Sequence, residues 1–358
     1  MDAGGAETFL MKLYRNMDRK QYQMDFAVNV QKKAFYDDEI LVMGGKLYYI
    51  PPKTRDLKGF KDSLYRLIKE ENYQYVLRIT SSCVGFYDLK IAKKAGAKVC
   101  AARSSNSSDG GGLVINILNK VSRLLFLRYV DVMIAPSDLA AEYTFGKNQV
   151  KKGKVHFLKN AIDLDLFTYS EAARQEIRKE FQLNDEFLLG HIGRFSEQKN
   201  HKFMIDIFAR VHEEIPQARL LLAGEGELCE EIKGYVTSKA LQEYVIFAGV
   251  RKDVAKLLSA MDLFLLPSLY EGMPNVVIEA QATGLPCLIA DTITREADLT
   301  GLVKYFPLDN VNLWCDNVKR ELMSNKERLG QAEMLRASGY DVREEVHKFT
   351  RYMTKTKE

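Results

Sequence analysis

Short apolar runs alternate along the chain with longer stretches in which apolar residues return every three or four positions. In the first half, DFAV (25–28), YQYVLRI (73–79), KVCAAR (98–103) and VDVMIAP (130–136) have the length and composition of buried strands. Stretches of helical period such as GFKDSLYRLIKEE (59–71) lie between them. The second half repeats the scheme with EFLLGHIG (186–193), ARLLLAG (218–224), YVIFAG (244–249), DLFLLPS (262–268) and PCLIA (286–290). Helical patterns at HKFMIDIFARVHEEI (201–215) and VAKLLSAM (254–261) separate those runs. Strand and helix in strict alternation predict an α/β protein with parallel sheets. Two such series in 358 residues predict two doubly wound, Rossmann-like domains, residues 1–160 and 161–337. They join at KNAIDLDLFTYS (159–170), and an amphipathic helix at 338–353 is expected to cross back onto the first domain. Ligands of such sheets collect outside the carboxyl ends of the strands, here expected in a crevice between the domains.

The chain opens on MDAGGAETFLMKLYRNM, a Gly4-Gly5 turn running directly into a helix. In a doubly wound domain a buried first strand should precede such a turn. The place of that strand is therefore expected to stand unfilled, and an extension of about ten residues to raise stability by several kcal/mol.

Composition narrows the class. An apolar content of 46% with 28% charged residues is that of a folded chain rather than a disordered one. No run approaches the roughly 20 apolar residues that span a bilayer, and no secretory leader is legible. The five cysteines are scattered without a CxxC, which fits reduced thiols in a cytoplasmic protein and gives no support to a disulfide framework or a zinc site. Charge is unevenly spread: residues 1–160 hold 27 Lys and Arg against 16 Asp and Glu, and the remainder 25 against 32. With no nucleic-acid-binding signature beside it, the basic half is expected to face anionic lipid headgroups rather than nucleic acid.

The chemistry concentrates in the second half. In PSLYEGMPNVVIEAQATGLP (267–286) an apolar strand ends at Pro267, a turn carries Glu271-Gly272, and Pro274 stands at the start of a helix running to Gly284. The free N–H groups of residues 272–275 then point above the strand, where a helix N-terminus attracts phosphate. Glu271 and Glu279 flank that anion site, and carboxylates there can accept hydrogen bonds from sugar hydroxyls. Taken alone, Glu279 reads as a solvated helix residue. In HIGRFSEQKNHKF (191–203), Arg194 and Lys199 leave a strand on a loop, from which a guanidinium fork and a point charge can converge on a diphosphate.

The segments EGMPNVVIEA and GRFSEQKN resemble the E-x7-E and G-R-x4-K elements of glycosyltransferase family 4. AGEGEL, FAGVRKDV, NAIDLDLF and GGAETF are similar to further signatures of that family, in order, over nearly the whole chain. The resemblance implies a GT-B fold and retaining sugar transfer from a nucleotide diphosphate, UDP ahead of GDP, without a metal or other cofactor. The basic first half, with the 113–130 segment, adds the expectation of a glycan or lipid-linked acceptor at the inner face of the membrane, in capsule, exopolysaccharide or O-antigen assembly. By resemblance, Arg194 and Lys199 hold the diphosphate and Glu271 meets the transferred sugar, with the backbone of Gly272, Met273, Pro274 and Asn275 nearby. Glu279 holds the ribose, the backbone of Val250 and Arg251 meets the base, and Gly4-Gly5 approaches the phosphates from the other domain. Two other readings share this architecture: a sugar-nucleotide 2-epimerase and an inactive truncated homologue acting as a binding partner.

Several features are decoys or departures. Asp163-Leu164-Asp165 has the form of a metal-binding DxD but falls in the linker, and Gly224-Glu225-Gly226 is an incomplete GxGxxG. His191 reads as a packed strand residue. The family's first-domain histidine has no counterpart at 78–81 or 103–106, which leaves Arg103 and Asn106 as candidates on the acceptor side. The Ser- and Gly-rich stretch 104–112 reads either as an acceptor-facing loop or as plain flexible chain. LVINILNKVSRLLFLRYV (113–130), apolar on one face with Lys120, Arg123 and Arg128 interspersed, fits either a membrane surface or a helix packed on its own sheet.

Overall fold

The computed structural model describes residue 1 and residues 4–105, 113–324 and 328–354. Two compact units result: Met1–Ala161 together with the segment from Asp341 onward, and Ile162–Tyr340.

In the first unit, β1 (Phe26–Val28) pairs with β2 (Leu47–Tyr49). The strands β3 (Tyr75–Thr80), β4 (Val99–Ser104), β5 (Val132–Ala135) and β6 (Val155–Phe157) form a separate parallel sheet in sequence order. No strand among the described residues joins the two sheets. The link is made by the Gly5–Asn16 helix: Phe9 and Leu13 pack onto β4 and β5, while Met11 and Tyr14 pack with Phe26 and Ile40. The two faces of β4 follow its pleat, Val99 and Ala101 meeting that helix and Cys100 and Ala102 the opposite layer with Phe86 and Leu89. The Val342–Thr354 helix packs Val346 and Phe349 into the same cluster as Phe9. It starts four residues later than its sequence pattern suggests, because Gly339 turns the chain at φ +73°.

In the second unit, β7 (Phe187–Ile192), β8 (Ala218–Ala223), β9 (Val245–Gly249), β10 (Leu263–Leu266), β11 (Cys287–Ala290) and β12 (Val303–Phe306) form one sheet. Its order is β12-β11-β10-β7-β8-β9 and every pair is parallel. From β7 the chain winds outward through β8 and β9, then returns to β10 on the other side and continues outward. The switch point therefore lies between β7 and β10, the position at which doubly wound sheets bind their ligands. β10 and β11 are buried on both faces, which explains their unbroken apolar runs.

Candidate active site

The loops that leave β7 and β10 are stitched together at this switch point. Beyond β7, Gly193 N–H donates to Ala223 O at 2.9 Å and Phe195 N–H to Glu225 O at 3.0 Å, prolonging the β7–β8 ladder past the strand ends. That approach needs glycine opposite: a Cβ on Gly224 (φ +138°) would lie 2.0 Å from Gly193 O, and one on Gly226 2.3 Å from Phe195 O. The incomplete GxGxxG is thus a packing device. A 3-10 turn, Glu197–Lys199, follows, and Asn200 (φ 54°) reverses the chain into the His201–Glu214 helix.

Three contacts then cross to the loop after β10. Leu269 N–H donates to Gln198 O at 2.8 Å, Gln198 Nε2 donates to Tyr270 O at 2.9 Å, and Lys199 Nζ pairs with Glu271 Oε1 at 2.5 Å. The side chain of Gln198 acts here as an extra backbone amide. Lys199 and Glu271, 16% and 11% exposed, are held in place from both sides. Arg194 is turned the other way, 73% exposed and bonded through Nε to Glu227 Oε2 at 3.0 Å. Of the two cations, Lys199 is set beside Glu271, and Arg194 is paired with Glu227 instead.

The Asn275–Ala282 helix begins one residue later than expected, with Pro274 as its N-cap residue at ψ 103°. Among the described residues, the backbone N–H groups of Gly272, Met273, Asn275 and Val276 donate to no carbonyl. Asn275 Oδ1 and Ser268 Oγ beside them are buried without a partner. Unused backbone donors at the start of a helix are what an oxyanion ligand requires. Glu279, read alone as solvated, is buried, one helical turn beyond Asn275 on the same face. Val250 is exposed after Gly249 (φ +64°), and the guanidinium of Arg251 is committed to Asp253 and Glu180. Asp163 Oδ1 accepts from the N–H groups of Asp165 and Leu166 at 3.1 and 3.2 Å, so the DxD is a turn cap.

Below the loop sit two buried imidazoles. His191 Nδ1 lies 2.9 Å from Leu265 O, its Nε2 has no partner, and neither ring nitrogen of His201 has one. His201 stacks on Phe195 at 4.3 Å and meets His191 edge-on at 5.0 Å. Burial pushes both below the usual imidazole range, His201 to about 4. An unfolded histidine protonates near 6.5, so stability falls as pH drops from about 6.5 to 4, by about 3 kcal/mol for His201 alone. His201→Phe keeps the stack and removes the titration. Urea unfolding at pH 7 and 4.5 should show a smaller acid loss in the variant, and equal losses would refute the assignment.

In the first unit, Gly4 is the N-cap residue of the Gly5–Asn16 helix, and a Cβ on Gly5 would meet none of the described atoms within 4 Å. Arg103, a candidate on the acceptor side, is instead buried: its guanidinium lies 3.5 Å over the Phe9 ring and bonds Asn160. Burial lowers its pKa to about 9. Asn106 and the rest of 106–112 lie outside the described residues. Sequence reasoning missed Gln198 and Glu227; Gln198 sits among the unspecified positions of the G-R-x4-K pattern, and Glu227 is 33 residues from its partner.

Two parallel-sheet units, with a lysine–glutamate pair and an open helix end at the switch point of the second, define a glycosyltransferase of the GT-B class. The family model described as "Glycosyltransferase Family 4" matches residues 3–166, and "Glycosyl transferases group 1" matches residues 186–320. EpsF of Bacillus subtilis (strain 168), which carries the name of a glycosyltransferase, is 35% identical over 357 residues, 97% of this chain and 92% of that protein. The chain belongs to glycosyltransferase family 4. The Escherichia coli UDP-Gal:alpha-D-GlcNAc-diphosphoundecaprenol alpha-1,3-galactosyltransferase is 27% identical over 72% of this chain and 68% of its own length. In fold, the crystal structure of Anabaena Alr3699/HepE in complex with UDP and glucose superposes with a TM-score of 0.78 at 17% identity, covering 99% of this chain and 96% of that one.

Proposed function

We propose that the protein transfers a sugar, with retention and without a metal ion, from a UDP-sugar to a glycan or lipid-linked glycan in surface polysaccharide assembly. The observation that carries this reading is Lys199 held against Glu271 at the β7–β10 switch point, beside the unused N–H groups before Val277. When the anomeric C–O bond breaks, charge develops on the leaving diphosphate. Fixed positive groups lower that barrier without reorganising. Lys199, Arg194 released from Glu227, and the N–H groups of Gly272, Met273 and Asn275 supply them. Glu271 then exchanges Lys199 for sugar hydroxyls, Glu279 takes the ribose, and the backbone at Val250 and Arg251 the base. Retention follows if the acceptor enters on the face the diphosphate leaves, its proton passing to a donor phosphate oxygen. The names of the E. coli relative and of the HepE complexes support UDP over GDP and a lipid diphosphate acceptor. The basic first half supports work at the anionic cytoplasmic leaflet; no helix among the described residues is long and apolar enough to cross a membrane.

A nucleotide-sugar panel tests the donor. A UDP-sugar at about 100 times its Kd should stabilise the protein by about 2.7 kcal/mol, visible as a raised melting temperature. Glu279→Ala and Arg194→Ala should each reduce that shift, and UDP release with membranes should persist in EDTA. A panel in which no nucleotide sugar moves the melting temperature would refute the reading.

A further inference from the structure

Beneath the Lys199–Glu271 pair, one buried acceptor has nothing to accept. His191, in β7, is fully buried, and its Nδ1 lies 2.9 Å from Leu265 O of β10. A carbonyl only accepts, so Nδ1 carries the proton of the neutral imidazole and Nε2 presents a lone pair. That Nε2 has no hydrogen-bond partner among the described residues. Phe264 stacks on the ring with centroids 6.0 Å apart, and His201 meets it edge-on at 5.0 Å, so the ring is held as it stands. A buried acceptor left unmet calls for a partner that arrives in another state.

Gly193 shows which partner. A Cβ there would stand 2.8 Å from His191 Nε2 and 3.2 Å from Lys199 Cε. Ring nitrogen and lysine stem therefore border the same place, the one a side chain of residue 193 would fill. The two distances bound their separation at about 6 Å, of which a C–N bond and a hydrogen bond from the ammonium cover about 4.4 Å.

We propose that His191 is a positioning residue whose Nε2 accepts from the Lys199 ammonium once Glu271 turns to the transferred sugar. The inference rests on the proposed exchange at Glu271 and names what holds the lysine afterwards. An ammonium only 16% exposed loses its carboxylate at a cost unless another acceptor takes over. A second carboxylate would cancel the charge that the leaving diphosphate needs. A neutral imidazole fixes the ammonium and leaves that charge whole. Burial, then His201 and Lys199 beside it, hold His191 well below the usual imidazole range, which keeps the lone pair free of a proton at neutral pH.

Nitrogen-15 NMR of the full chain labelled at histidine tests this without any nucleotide sugar. The chain has 5 histidines, so His191→Phe identifies the resonance and the others report that the fold is kept. Without ligand, Nε2 of the wild type should resonate as an unprotonated nitrogen that accepts no hydrogen bond. Glu271→Ala frees Lys199 from its carboxylate, and Nε2 should then move toward the hydrogen-bonded position. Adding Lys199→Met should return it. A resonance unmoved by Glu271→Ala, or a proton found on Nε2 in the wild type, would overturn the proposal. Kinetics give a second readout. His191→Phe should lower transfer by about tenfold or more and leave UDP affinity within about twofold of wild type, because Glu271 still holds the lysine when no sugar is present. His191→Gln, whose amide oxygen can stand at the Nε2 position, should recover part of the rate. Equal losses of rate and UDP affinity, with no recovery by glutamine, would reduce His191 to a packing residue. The donor melting shift separates the two ideas: a moved resonance without any nucleotide-sugar shift sinks the proposed reaction and leaves the lysine–histidine contact standing.

Discussion

Replacing Lys199 by methionine is expected to lower the transfer rate by about two to three orders of magnitude, the loss seen when one preorganised donor to a developing anion is removed. Lys199 is the cation the fold itself immobilises, through the 3-10 turn that carries it and through Glu271. Arg194 is exposed by comparison, and Arg194→Ala should cost less, because an exposed side chain spends part of its interaction on being ordered. A second arm separates charge stabilisation from simple support of Glu271. In Glu271→Gln the lysine loses its competing carboxylate, so binding of UDP without sugar should be retained or tightened, while transfer falls. Lys199→Met should weaken UDP itself. Isothermal titration with UDP, beside rates of UDP release with acceptor membranes, reads both. A Lys199→Met enzyme within about threefold of wild type in rate would remove this residue from the reaction.

The lysine and its glutamate were legible in the sequence because each follows an apolar run that can only be a buried strand. What was not legible is their closeness, which depends on β7 and β10 being neighbours although two strands separate them in sequence. The same gap hid Gln198, whose amide has meaning only once Tyr270 lies beside it. β2 and β12 escaped notice because three or four residues with mixed polarity carry no period. Glu279 was misread in isolation because its helix is covered on nearly all sides from Val277 to Ala282, which a single carboxylate in the sequence does not announce. The Leu113–Phe126 helix shows the limit in another form. Periodicity gives a stripe but not its direction, and here hydrogen bonds from Asn119 turn the stripe outward.

The largest effect on stability is expected from Arg328→Ala, at about 3–5 kcal/mol. All five N–H donors of this guanidinium are used: Nε on Thr283 O, Nη1 on Ser259 O and Met261 O, Nη2 on Leu258 O and Thr283 Oγ1. Those carbonyls belong to the ends of the Val254–Ala260 and Asn275–Ala282 helices, where the helix dipoles favour a cation. Burial lowers its pKa to about 10, so it stays charged at neutral pH. Alanine would leave four carbonyls without that donor, and lysine would restore the charge without the planar fork, for a smaller loss. In a unit of this size the alanine variant should melt roughly 10 °C lower. The arginine sits at the carboxyl end of the helix whose amino end faces Lys199 and Glu271. Anchoring the far end holds the unused N–H groups in position, so Arg328→Lys at low temperature should bind UDP more weakly before it unfolds. Equal melting temperatures for alanine and wild type would show that the chain satisfies those carbonyls by other means.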